Sequence, residues 1–230
     1  MAEFAAAYLV FLLTHAIPAR PGLRARLVAA LGGWGFTAAY SVVSALTLAW
    51  LISAAGRAPY VHLWGMASWQ LWVPIVLMPF ACLFAVFGVG APNPLSFGGL
   101  KPERFDPAQP GIVGLTRHPI LWALALWGLA HLVPNGNATH LAMFGGLFGF
   151  AIVGMLAIDR RKRRALGREA WSRLAANAPL IPFSAWLRAN PGVRSWRPSP
   201  LRGLIAVIVF VALLALHRAV IGVSPLPVIG

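Results

Sequence analysis

Long apolar runs separated by short polar stretches set the pattern of this chain. A helix needs about 20 mostly apolar residues to cross the hydrocarbon core of a bilayer. Six runs approach or reach that length, at residues 2–18, 34–54, 69–90, 118–133, 140–158 and 202–222. The first and fourth are short and are expected to sit near an edge or to extend into flanking turns. The pattern predicts an all-α fold, a polytopic transmembrane helix bundle of about six spans. Residues 1–167 form its five-span transmembrane domain, 168–201 a basic amphipathic cytoplasmic connector, and 202–230 the sixth span with a short outer tail. The first run starts almost at Met1, with no basic segment before it and no small-residue cleavage site, so it is not read as a removable signal.

Composition removes the soluble alternatives. Of the residues, 59% are hydrophobic and only 10% charged, against about 25% charged in soluble domains. The net charge of +14 raises nucleic acid as a partner, and placement decides against it. All but Arg57 and Arg218 of the 19 basic residues fall in alternate connections, at 20–26, 101–117 and 160–202. Such asymmetry puts those connections in the cytoplasm. Both termini are therefore expected outside the cytoplasm. The run DRRKRRALG then reads as an anchor at an anionic lipid surface, not as a nucleic-acid patch. Trp34, Trp50, Trp64, Trp69, Trp72, Trp171 and Trp186 lie at or near span ends, where indoles bridge lipid and water. Trp122 and Trp127 sit inside the fourth span and need another account. Cys82 is alone, which excludes an internal disulfide, a thiolate zinc cluster and an iron–sulfur centre.

The histidines are the candidate chemistry, because ionisable groups inside spans are costly and mark function. His15 lies near the cytoplasmic end of span one, and His118 opens span four from the same side. His131 follows 13 residues later, about 20 Å deeper along a helix. His217 lies 15 residues beyond Arg202, about 22 Å from the inner face. Two layers result, His15 with His118 and His131 with His217. His118 and His131 cannot hold one metal, being about 140° apart around their helix. The inner pair can supply two axial imidazoles to a haem; the alternative is that each hydrogen-bonds a neighbouring helix. For His131 and His217 a structural role is expected, since their helices need not touch. Pro119 suits a helix start, and Thr116 is a candidate cap. Arg117 beside that helix N-terminus forms an anion site for a propionate, a phosphate or a substrate carboxylate. Residues 135–137 and the APNP stretch at 91–94 read as turns.

These pieces resemble a known family. The segment LTHAIPARPGLRARLVAALGGWGFTAAYSVVSALTLAWL, followed by RHPILWALALWGLAHLVPNGN and IDRRKRR, is similar to the NnrU family of bacterial membrane proteins over roughly residues 8–167. The most specific matches are His15, Tyr40, Ser41, Arg117 to Pro119, Ala130, His131, Asn135 and Gly136. The resemblance implies a link to denitrification and nitrogen-oxide metabolism. It also implies kinship with plant zeta-carotene isomerase, a haem b enzyme that isomerises a cis double bond. On that resemblance His15 and His118 are the axial pair to test, with Arg117 meeting a propionate and His131 a candidate for the cofactor shell. A lipophilic substrate drawn from the bilayer would suit such a protein.

A second resemblance is to membrane methyltransferases of the isoprenylcysteine carboxyl type. It rests on Arg117-His118-Pro119, Asp159, Leu166 and Gly167, Trp171, and APLIPF at 178–183. It implies S-adenosylmethionine as the alternative cofactor, held by Arg117, His118 and Asp159 under a cap formed by the fifth connection. Where that family has two adjacent acids this chain has Asp159 and Arg160, which weakens the cofactor reading. A third reading, an accessory membrane protein with structural histidines, needs no cofactor at all.

Overall fold

A computed structural model describes residues 1–18, 20–187 and 196–226 of the chain. All six expected apolar runs are helical: α1 (Ala2–Ala16), α2 (Pro21–Arg57), α3 (Trp72–Gly88), α4 (Pro119–Leu132), α5 (Ala138–Leu166) and, after a short amphipathic helix α6 (Arg168–Ala175), α7 (Pro200–Ile221). Among the described residues there is no strand beyond an isolated bridge between His62 and Asn137. Among the described residues four helices are long and apolar enough to cross a membrane, namely α2, α5, α7 and α3 with the 3₁₀ turn that leads into it. The runs that looked short are short: α1 has 15 residues and α4 has 14. Of the basic fifth connection, Arg188 and Arg194 lie outside the described residues.

Local chemistry sets the helix boundaries. Prolines open α2, α4 and α7 at the first helical position, where a missing N–H leaves nothing unsatisfied. Ser199 caps α7 by accepting the Arg202 amide at 3.4 Å, and Asn137 caps α5 by accepting that of His140 at 2.9 Å. Within α2 the helix breaks at Gly32, whose φ of 72° is a conformation that costs glycine nothing. The break falls just before Trp34, where the apolar pattern begins. Early in α5, Leu141–Gly145 form a π-helical turn.

The chain forms two compact units, Met1–Trp64 with Asn137–Met143, and Gly65–Gly136 with Phe144–Gly230. In the first, α1 and α2 pair through buried Phe4, Ala7, Phe11, Leu51, Ala54 and Ala55. Glu3 at the start of α1 bonds Arg57 at the end of α2, at 2.5 Å, so the two run antiparallel. In the second unit α3 packs on α4 and α7, and α4 on the later turns of α5. Phe84, Leu95, Val113 and Ala123 form one core cluster, and Leu121, Ala125, Ala151 and Met155 another. Small residues permit close helix approach in this second unit: a Cβ on Gly128 would meet the Phe144 carbonyl oxygen at 3.0 Å.

Candidate functional site

The mouth of α4 is a polar clasp closed on itself. His118 is its N-cap residue and is fully buried. Its Nε2 lies 2.9 Å from Asp159 Oδ1 and its Nδ1 2.8 Å from Ser96 Oγ. A carboxylate only accepts, so Nε2–H donates to Asp159, and a neutral ring then accepts the Ser96 hydroxyl proton at Nδ1. Arg117 Nε donates to both Asp159 oxygens at 3.0 Å, with a further bond from its terminal nitrogen. The same guanidinium reaches the Ala178 carbonyl at 3.1 Å and lies 5.8 Å from the Trp171 ring centre.

Three more bonds fasten residues 178–183 to this point. Thr116 Oγ1 donates to the Leu180 carbonyl at 3.0 Å, Trp122 Nε1 donates to that same oxygen at 2.9 Å, and the Arg117 amide donates to the Pro179 carbonyl at 2.9 Å. Thr116 also accepts the His118 amide at 3.3 Å, so it supports the start of α4 from two residues before it. Trp122, unexplained by a span-end role, is thus a tie to the following connection.

Sequence reasoning named Arg117, His118 and Asp159 and passed over Ser96 and Asn93. Asn93 lies in the stretch after α3 that reads as a plain turn, and Ser96 lies two residues beyond it. That stretch folds back on itself, with Gly90 N–H donating to the Gly98 carbonyl and Leu100 N–H to that of Ala91, each at 3.0 Å. Asn93 accepts the Leu95 amide and donates to the Arg117 carbonyl at 3.0 Å. The available signal was two small polar residues, Asn93 and Ser96, in a segment otherwise made of apolar residues, Pro and Gly.

The clasp bears on two expectations. The anion that Arg117 meets is the chain's own Asp159. Ligation of iron by His118, through either nitrogen, would require giving up Ser96 or Asp159, so these residues do not fit an axial-ligand role. The positions resembling the methyltransferases do converge here, and their polar atoms satisfy one another. No group of three or more His, Cys, Asp or Glu placed to hold a metal ion occurs among the described residues.

His131 and His217 are arranged differently. His131 Nδ1 lies 2.8 Å from the Trp127 carbonyl one turn back. A carbonyl only accepts, so Nδ1 carries the proton and Nε2 the lone pair. The ring packs against Phe144, with centroids 5.2 Å apart, and against Trp127 at 5.4 Å. His217 of α7 lies 6.3 Å away with its plane tilted by 19°, so these two helices do bring their histidines together. His217 Nδ1 donates to the Val223 carbonyl at 2.8 Å, fixing the same tautomer. Asn135, in the expected turn, donates to the His131 carbonyl at 2.7 Å. In the first unit His15 Nδ1 likewise lies 2.7 Å from the Phe11 carbonyl, and its ring meets Tyr40 edge-on at 5.6 Å.

Comparison with known proteins gives the family of the chain. The family model described as NnrU protein matches residues 3–225. The chloroplastic 15-cis-zeta-carotene isomerase of Zea mays is 30% identical over 93 residues, which is 40% of this chain. The match spans 25% of that relative's length. No solved structure matches the chain. A helical membrane bundle matched over nearly its whole length in this way belongs to the NnrU family.

Proposed function

We propose that the chain is a membrane-embedded, isomerase-type protein that binds a b-type haem through His131 and acts on a lipophilic, unsaturated substrate. The observation that carries this reading is the state of the His131 ring. Its Nδ1 proton is spent on the Trp127 carbonyl at 2.8 Å, the kind of outer-shell bond that orients a ligating imidazole and would leave Nε2 as the ligand atom. A b-type haem, when bound, supplies a redox-active iron whose electronics the axial ligand tunes. Trp127 and Phe144 hold the imidazole plane by packing, and Asn135 secures the end of the helix that bears it. His15 has the same Nδ1 arrangement in the other unit and is the second histidine to test. His118 takes a positioning role instead. Kinship with a carotenoid isomerase and a fold made almost entirely of apolar helices both favour a substrate dissolved in the bilayer.

Reduced-minus-oxidised spectra of the detergent-purified protein test this. Wild type from haem-replete cells should show a b-type signal, lost in His131→Ala and retained in His118→Ala once that variant is shown to be folded. A flat wild-type spectrum, or loss confined to His118→Ala, would overturn the proposal.

A further inference from the structure

A cleft of about 410 Å³ opens where α3 ends and α7 begins. Three arginines line it, Arg104, Arg197 and Arg202, against one carboxylate, Asp106. Arg202 donates from one guanidinium nitrogen to the Phe87 carbonyl at 3.2 Å, in the last turn of α3. Asp106 accepts the Ala108 amide at 2.8 Å and forms no ion pair among the described residues. Arg104 and Arg197 have no side-chain hydrogen bond or ion pair among the described residues. Trp196, which meets Phe87 edge-on at 5.5 Å, likewise has an indole N–H with no acceptor there. Phe87, Phe105 and Ile112 make the rest of the wall largely apolar.

We infer that this cleft binds the phosphate headgroup of an anionic phospholipid. Guanidinium forks match phosphate oxygens, and two of the three here are uncommitted. The N-terminus of the 22-residue α7 adds its positive dipole end at the same point. The depth is that of a headgroup, because the last turn of one apolar helix and the first turn of another both contribute. Tryptophan and arginine are the residues that settle at this level. A route for the tails is present too: only 6% of the most apolar stretch of α7 is buried, so acyl chains can lie along it. The inference is independent of haem, since neither His131 nor any residue of the clasp lines the cleft.

Native mass spectrometry of the full-length protein tests this, with phosphatidylglycerol and phosphatidylcholine offered at equal concentration. One phosphatidylglycerol per chain should persist, bound about thirtyfold more tightly than in R104Q/R197Q, as two basic residues near a membrane surface imply. R163Q/R164Q removes the same charge from exposed positions of α5 and should leave that adduct intact. Thermal melts of both variants establish that they are folded. Equal loss in the two variants would make the effect one of general charge and overturn the site. Equal retention of the two lipids, or binding of inorganic phosphate with no lipid adduct, would overturn it as well.

Discussion

Nε2 of His118 lies 2.9 Å from Oδ1 of Asp159, across 41 residues of chain. The contact ties the start of α4 to the last turns of α5, and Arg117 doubles it from the adjacent position. The side chains of Arg117 and Asp159 are only 16% and 15% exposed. Removing one member of such a buried pair strands the other, at a cost of about 3–5 kcal/mol.

Asp159→Asn should therefore lower the thermal midpoint of the purified protein by about 6–20 °C. Arg117→Met should do the same, and the double variant R117M/D159L should recover part of the loss, because no unpaired charge then remains. Differential scanning fluorimetry in detergent reads all three. An Asp159→Asn midpoint equal to wild type would show that the clasp contributes nothing to stability.

Ser96→Ala tests the buried end of the same chain of bonds. It deletes the donor to Nδ1 of a residue with no exposure, and an unsatisfied buried acceptor costs about 1–3 kcal/mol. The destabilisation should be smaller than that of Asp159→Asn and should vanish in the S96A/H118F background, where no acceptor is left. A double-mutant cycle measured by denaturant or heat decides it.

How much of this was legible depends on the range of the interaction. The six apolar runs and the proline start of α4 follow from local rules and appear where the pattern put them, whereas α2 begins at Pro21, ahead of its apolar run, and breaks at Gly32. His118 stood out because an ionisable group in an apolar run is costly, Arg117 because it adjoins a helix N-terminus, and Asp159 through the resemblance to the methyltransferases, which grouped all three. That they bond one another and Ser96 did not, since nothing local links residue 118 to residue 159 or to residue 96. Nor did periodicity signal that α4 and α7 would bring His131 and His217 within 6.3 Å. Depth was readable from helix rise; lateral neighbours were not, because they are set by which small residues permit close approach.

Trp122→Phe keeps the ring volume near its original size and removes one N–H, the donor to the Leu180 carbonyl at 2.9 Å. A hydrogen bond of this kind contributes about 1 kcal/mol. Thr116 and Arg117 still hold the segment, so global stability should fall only slightly. Local opening of residues 178–183 should rise instead, by about fivefold in hydrogen exchange. Exchange unchanged in that segment would mean that Trp122 packs there without fastening it.

Gly128→Ala probes the contact between α4 and α5. The added Cβ would sit 3.0 Å from the Phe144 carbonyl oxygen and 3.2 Å from the Phe148 nitrogen, both backbone atoms that cannot swing away. The helices must separate, at a cost of about 1–3 kcal/mol. Gly149 supplies the control on α5, because nothing lies within 4 Å of the Cβ it would carry. There alanine should be neutral or raise stability by up to about 1 kcal/mol through helix propensity. Separation at Gly128 would also shift Phe144 relative to the His131 ring that it packs against. A haem-loaded preparation of Gly128→Ala should therefore show an altered absorption band alongside its lower midpoint, while Gly149→Ala shows neither. If both alanines behave alike, close approach of α4 and α5 at Gly128 does not govern the His131 site.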